Sequence, residues 1–264
     1  MVINDIETWI SRNADDGNGQ GTQVYNTLLD GMVIEGLRHQ SKTTHLKGLQ
    51  AILRTSPEID LFNLPADDIK KIQIGLIKKY PNPNTVSLFK LSLRKWLQTT
   101  NQTDLLSHVK TANLRTNDKL PDDMITPAEL EKLLSCCTHP RDAAIIALLY
   151  DSGCRIGELL SMRVRDVEFD ENGAIVTFPE GKTGWRKNRV LYASSYLRQL
   201  LENHEYKDDK DYPLFYSRRG TKVVTDMAVR RQLKIITEKA GIKRRIHPHL
   251  FRHSRATELA NHLT

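Results

Sequence analysis

Four residues in the second half of the chain have types and settings suited to anion chemistry: Arg155, Lys182, His249 and Arg252. Arg155 follows a break at Ser152-Gly153 and opens a segment whose Ile156, Leu159 and Leu160 turn one apolar face inward. Orphan backbone N–H groups at such a helix start, beside a guanidinium, favour an anion. The same spacing permits a plainer arrangement, an i,i+3 ion pair between Arg155 and Glu158 on a solvated surface, and the residues alone leave both open. His249 and Arg252 follow Pro248 at i,i+3 spacing, so they share a helix face that continues as Ala256, Leu259 and Leu263. This apolar continuation predicts that the pair points toward the body of the protein, where a cation needs an anionic partner. His253, on an adjacent face, reads as a hydrogen-bonded structural histidine. Lys182 lies in a turn between two glycines, followed by Arg186, Lys187 and Arg189, a setting that by itself defines only a loop lysine.

Positioning these residues takes a helical frame with one small sheet. Ala143 to Tyr150 is a nearly unbroken apolar run, too uniform for a surface helix, and predicts a helix buried on all sides just ahead of Arg155. Thr126-Pro127-Ala128-Glu129 is a capped helix start, and helices run from it to about Met162. The pattern then changes to period 2, predicting strands over 166–169, 174–178 and 189–192 joined by turns at 170–173 and 181–184. Helices resume over 193–203, over 226–240 and from Pro248 onward.

Residues 24–98 read as about four helices. Ser41 or Thr43 caps one that carries Leu46, Leu49 and Leu53. Pro65-Ala66-Asp67-Asp68 opens another, and a third from Thr85 places Val86, Phe89, Leu93 and Trp96 inward with Lys90 and Arg94 on the opposite side. The expected fold class is mainly α. A mobile N-terminal segment with a short helix at best (1–21) precedes a four-helix domain (22–112), a polar linker (113–122) and an α+β domain with a three-stranded antiparallel sheet (123–264).

With 264 residues, of which 39% are hydrophobic, the composition is globular. The net charge of +7 is unevenly distributed, since Arg230 to Arg255 holds nine Lys or Arg against one acid, Glu238. Such a concentration is the footprint of a nucleic-acid binder, or else a solvated helix face. The candidate phosphate contacts are Lys42, Thr44, Lys90 and Arg94 in the first domain and Arg186, Lys187, Arg189, Arg230, Arg231, Arg244 and Arg245 in the second. Three cysteines, Cys136, Cys137 and Cys154, have neither disulfide nor zinc spacing and read as small buried apolar residues. No metal and no cofactor is expected. No stretch is apolar enough to span a bilayer and the polar start lacks a signal-peptide layout, so a cytoplasmic, nucleoid-associated protein without a membrane partner is expected.

Three motifs in order resemble the active-site boxes of the tyrosine recombinases, the phage integrase family. They are Cys154-Arg155-Ile156-Gly157-Glu158-Leu159-Leu160 with Arg163 and Asp166, the hairpin Gly181-Lys182-Thr183-Gly184, and His247-Pro248-His249-Leu250-Phe251-Arg252-His253-Ser254. The last is similar in wording to archaeal members. The resemblance covers 123–264 and extends to the preceding helices as a core-binding, SAM-like domain. It implies that Arg155 and Arg252 clamp the non-bridging oxygens of a scissile phosphate, that His249 assists proton transfer, and that Lys182 protonates the departing 5′-oxygen. It also implies double-stranded DNA as partner, gripped between the two domains, a homotetramer on paired sites and a monomer without DNA.

One departure stands against these agreements. The family's remaining positions, a His or Trp and then the tyrosine that forms a 3′-phosphotyrosine bond, follow the Arg252 box, whereas all eight tyrosines here precede it. His262 falls too early for the missing role. The chain therefore reads as a C-terminally truncated recombinase, inactive in strand cleavage without its tyrosine. The alternative is a non-catalytic truncated integrase that regulates by occupying DNA. A helical scaffold unrelated to phosphate chemistry would leave Arg155, Lys182, His249 and Arg252 coincidental.

Overall fold

The computed structural model describes residues 3–13, 20–111, 124–181, 184–217 and 223–263. The chain divides into two compact units, Met1–Asn117 and Asp118–Thr264, each with its own apolar core.

The first unit is helical: α1 (Ile3–Asn13), α2 (Gly21–Ile34), α3 (His39–Thr55), α4 (Ala66–Lys79), α5 (Pro83–Thr99) and a short 3-10 segment, Thr103–His108. Its core gathers Tyr25, Leu28, Leu49, Ile52, Ile72 and Leu93 around the buried Trp96, whose indole N–H donates to the Leu61 carbonyl at 2.9 Å. The three helices located from sequence correspond to α3, α4 and α5, α2 is a fourth, and α1 is an addition. Instead of a mobile stretch with a short helix at best, residues 3–13 form an eleven-residue helix that buries Ile6 and Ile10 and sets Trp9 edge-on to Tyr25. The predicted cap of α3 is also different, because the helix starts earlier, after Arg38, and the Thr43 hydroxyl donates back to the His39 carbonyl as an interior residue. Pro65 precedes α4 as expected, while Asn82 caps α5, which begins at Pro83, two residues ahead of Thr85.

The second unit contains α6 (Pro127–Ser135), α7 (Pro140–Ser152), α8 (Ile156–Leu160), β1 (Val167–Asp170), β2 (Gly173–Gly181), β3 (Gly184–Val190), α9 (Tyr192–Glu202), α10 (Asp226–Lys239) and α11 (Pro248–Leu263). Thr126 and Glu129 close a full capping box on α6. Helix α7 is buried at every position from Asp142 to Leu149, as its uniform apolar run predicts. The strands form one antiparallel sheet in the order β1-β2-β3, with Val176 opposite Val167 on one side and Asn188 on the other. Ala174, Val176, Phe178 and Val190 face the core. The third strand begins at Gly184 rather than Arg189, and Tyr192 already belongs to α9.

Helix α11 contradicts the predicted orientation. Its buried residues include Pro248, Leu250, Phe251 and Ser254, whereas His249 and Ala256 are exposed and Leu259 is 45% exposed. Two apolar stripes compete on this helix, and the bulkier Leu250-Phe251 pair takes the core. Ser254 is fixed there by accepting the Ile125 N–H at 2.9 Å and donating to the Leu250 carbonyl at 3.0 Å.

Candidate active site

The site is assembled around the turn between α7 and α8. Helix α7 stops at Gly153, whose φ of 57° and ψ of 26° are left-handed values that a glycine adopts without strain. Helix α11 passes so close that a Cβ at this position would lie 3.1 Å from Cβ of Arg255 and 3.9 Å from Cα of Arg252. The Arg252 guanidinium donates through Nη1 to the Gly153 carbonyl at 2.8 Å, across 99 positions of sequence. Arg252 is thus brought to the turn from which Arg155 departs two residues later.

Arg155 caps α8 and is 34% exposed at its side chain, while Glu158, one turn on, is 6% exposed. Oε1 of Glu158 accepts Nη1 of Arg155 at 2.7 Å. Its Oε2 accepts the Arg155 backbone N–H at 3.0 Å and Nη2 of Arg186, from β3, at 2.6 Å. The ion pair left open by spacing alone therefore exists, but with a buried carboxylate shared by two arginines rather than on a solvated surface. Burial pushes the Glu158 carboxyl up, yet the Arg155 backbone and side-chain hydrogen bonds and the Arg186 charge outweigh it and hold the group below its ordinary value.

His249 lies one turn before Arg252 on the exposed side of α11, with its ring 5.3 Å from that of His253 and perpendicular to it. Its exposure leaves it accessible, contrary to the inward direction predicted. Lys182 lies outside the described residues. Cys154, between Gly153 and Arg155, is 1% exposed. Burial pushes its thiol up to about 12, so it offers no thiolate nucleophile.

The expected phosphate contacts separate into engaged and open cations. Arg94 donates to the Leu106 and Val109 carbonyls and Lys90 to the Lys110 carbonyl, so both hold the end of the first unit's chain. Thr44 donates to the Gln40 carbonyl, and Lys42 is half-buried. Arg186 is held by Glu158 and lies 4.8 Å over the Phe178 ring. Arg189 pairs with Asp170, and Arg230 with Asp226. Arg244 grips Glu129 with Nε and Nη2, at 2.9 and 2.6 Å, and also donates to the Met124 carbonyl. Lys187, Arg231, Lys239, Lys243 and Arg245 are exposed and make no ion pair among the described residues. A groove of about 480 Å³ collects Arg230, Lys234, Lys243, Arg245 and His247 on one side of the second unit. Sequence reasoning missed the internal work of Arg186 and Arg244, for which composition gives no signal because each partner is remote in the chain. Among the described residues no group of three or more His, Cys, Asp or Glu could hold a metal ion.

A helical unit followed by an α+β unit whose arginines meet at the start of a short helix defines the architectural class, and comparison with known proteins identifies its family. The model of the phage integrase family matches residues 123–263. The chain belongs to this family, the tyrosine recombinases. A tyrosine recombinase of Pseudothermotoga lettingae is 35% identical over 152 residues, covering 56% of this chain and 50% of the relative. Tyrosine recombinase XerA of Pyrococcus horikoshii is 33% identical over 151 residues, 54% of this chain and 50% of the relative. The chain spans about half the length of these curated relatives. Among solved structures, a lambda integrase dimer bound to a COC′ core site has a TM-score of 0.68 at 15% identity, covering 91% of this chain and 93% of the other. The Tn1549 transposon integrase in complex with transposon right end DNA gives 0.67 at 19% identity, covering 91% and 87%. These likenesses establish a shared fold.

Proposed function

We propose that this chain carries the DNA-binding and phosphate-clamping parts of a site-specific DNA recombinase or integrase. The observation that supports this reading best is the approach of Arg252 to the Gly153 turn beside Arg155. Two guanidinium groups at one turn, one of them tied to a buried carboxylate, form a preorganised cation pair for the charge that develops at phosphorus. In this reading Arg155 and Arg252 hold the non-bridging oxygens, His249 moves a proton from its accessible position, and Lys182 protonates the leaving 5′-oxygen. The strand is cleaved and rejoined through a 3′-phosphotyrosine. That tyrosine is not one of the eight in these 264 residues, since all of them precede His247.

The partner is double-stranded DNA, with a homotetramer on paired sites as the recombining assembly, a monomer away from DNA and the nucleoid as the place of action. No helix among the described residues is long and apolar enough to cross a membrane. The second reading, a non-catalytic regulator that occupies integrase sites, shares the DNA-binding part of the first. A gel shift with duplex DNA at low salt tests what both readings share. Failure to bind rejects them together, and covalent trapping, argued below, separates them.

A further inference from the structure

The Glu158 carboxylate is almost completely buried, and its two oxygens are used differently. Among the described residues Oε1 accepts from the Arg155 side chain alone, whereas Oε2 accepts from the Arg155 backbone N–H and from Arg186. Arg155 spends one Nη1 donor on Oε1, so its remaining N–H groups can meet a phosphate, and a shift of the guanidinium toward that anion lengthens the bond to Oε1. A buried carboxylate left with no cation is strongly unfavourable. Here it would keep two donors on Oε2, one of them charged. Arg186 is well placed for this because it is held from both sides, by the carboxylate at 2.6 Å and by the face of the fully buried Phe178, its cross-strand neighbour, at 4.8 Å.

Resting on the reading of Arg155 as a phosphate clamp, we propose that Arg186 is a positioning residue which holds Glu158 from the hairpin side. It thereby lets the Arg155 guanidinium shift toward a phosphate without leaving the buried carboxylate short of a cation. Arg186 then never touches DNA. It sets how readily Arg155 does, and it couples the strand leading away from Lys182 to the first turn of α8.

The test follows the Arg155 side-chain Nε–Hε resonance by NMR in the 264-residue chain during titration with inorganic phosphate. In the wild-type chain phosphate should move this signal, and an unresponsive signal would reject the phosphate-clamp reading itself. Arg186→Gln should weaken the apparent phosphate affinity at Arg155 by about tenfold, the loss of one charge-assisted contact. In a Glu158→Gln background, where no buried charge needs holding, the same Arg186 substitution should change affinity by less than about twofold. A loss of the same size in both backgrounds would mean that Arg186 attracts the anion directly and would overturn the proposal, as would no loss in either. Arg186→Lys keeps the charge without the fork, and an intermediate affinity from it supports the same conclusion if Arg186→Gln does not fold.

Discussion

Glu158 is a buried carboxylate that fixes two arginines, Arg155 and Arg186, at the start of α8. Its carboxyl is held below the ordinary value of 4.5 despite burial, so its contribution to stability is complete above about pH 4.5 and is lost as pH falls through the lower folded value. Urea unfolding of the wild-type chain should therefore weaken on acidification below that point more than unfolding of Glu158→Gln, and parallel acid curves would contradict this. Arg244 makes a comparable prediction in the opposite functional sense. Its fork on Glu129 and its bond to the Met124 carbonyl tie the start of α6 to the segment before α11. Arg244→Met should lower stability by about 1–3 kcal/mol in urea titrations while leaving DNA affinity within about twofold, and Arg245→Ala should do the reverse. On the proposed assignment, Lys182→Ala in a cleavage-competent protein carrying these residues should slow cleavage of ordinary DNA far more than of a substrate with sulfur as the bridging 5′ atom, because a thiolate leaves without a proton. Equal slowing would remove Lys182 from the role of general acid. The residue types of the site were legible in the sequence, but the engagement of its cations was not. Arg244 finds Glu129 across 115 positions and Arg252 finds Gly153 across 99, and no local pattern encodes such pairings.

At the scale of elements, local chemistry carried most of the prediction. The capped start at Thr126, the proline before α4 and the apolar run within α7 were legible because each depends on neighbours within a turn or two. Errors arose where tertiary packing chooses between equal local options. On α11 the Leu250-Phe251 stripe took the core and turned His249 outward, and at the N-terminus only the burial of Ile6 and Ile10 distinguishes a packed helix from a frayed one. The α7–α8 turn combines both kinds of information. Its glycine is a readable helix stop, but the closeness of α11 behind it is not. Gly153→Ala should cost about 1–2 kcal/mol for the left-handed backbone alone. The added methyl would also press on Arg255 at 3.1 Å and displace α11, which carries Arg252. The expected result is a greater loss of phosphate response at Arg252 than at residues of α10, observed by NMR. A uniform loss across the unit would indicate general destabilisation instead.

For the molecule as a whole, charge has to be counted after internal pairing. The segment from Arg230 to Arg255 holds nine Lys or Arg against one acid, yet Arg230, Lys234, Arg244 and Arg255 each have a carboxylate partner and Arg252 is hydrogen-bonded to a carbonyl. Among the described residues of this segment, Arg231, Lys239, Lys243 and Arg245 are exposed and without an ion pair, and Lys187 on the sheet is a fifth such candidate contact. If most of these five meet phosphates, the log–log dependence of DNA affinity on salt should have a slope of about −3 to −5, at roughly −0.9 per phosphate neutralised. A slope near −8 would mean that the internal pairs open on binding. Binding and chemistry should then separate. Phosphoryl transfer to protein needs an activated side-chain oxygen beside the clamped phosphate. None of the eight tyrosines follows Arg252, and burial pushes the phenols of Tyr150 and Tyr192 upward, the latter to about 12, away from the phenolate form. A duplex nicked beside the cleavage position should therefore be bound by this chain without forming an adduct that survives denaturing electrophoresis. The same duplex should trap a covalent complex when a protein supplying the downstream tyrosine is present. An adduct with these 264 residues alone would place the nucleophile among the tyrosines already in the chain and would overturn the assignment of strand cleavage to a residue outside it.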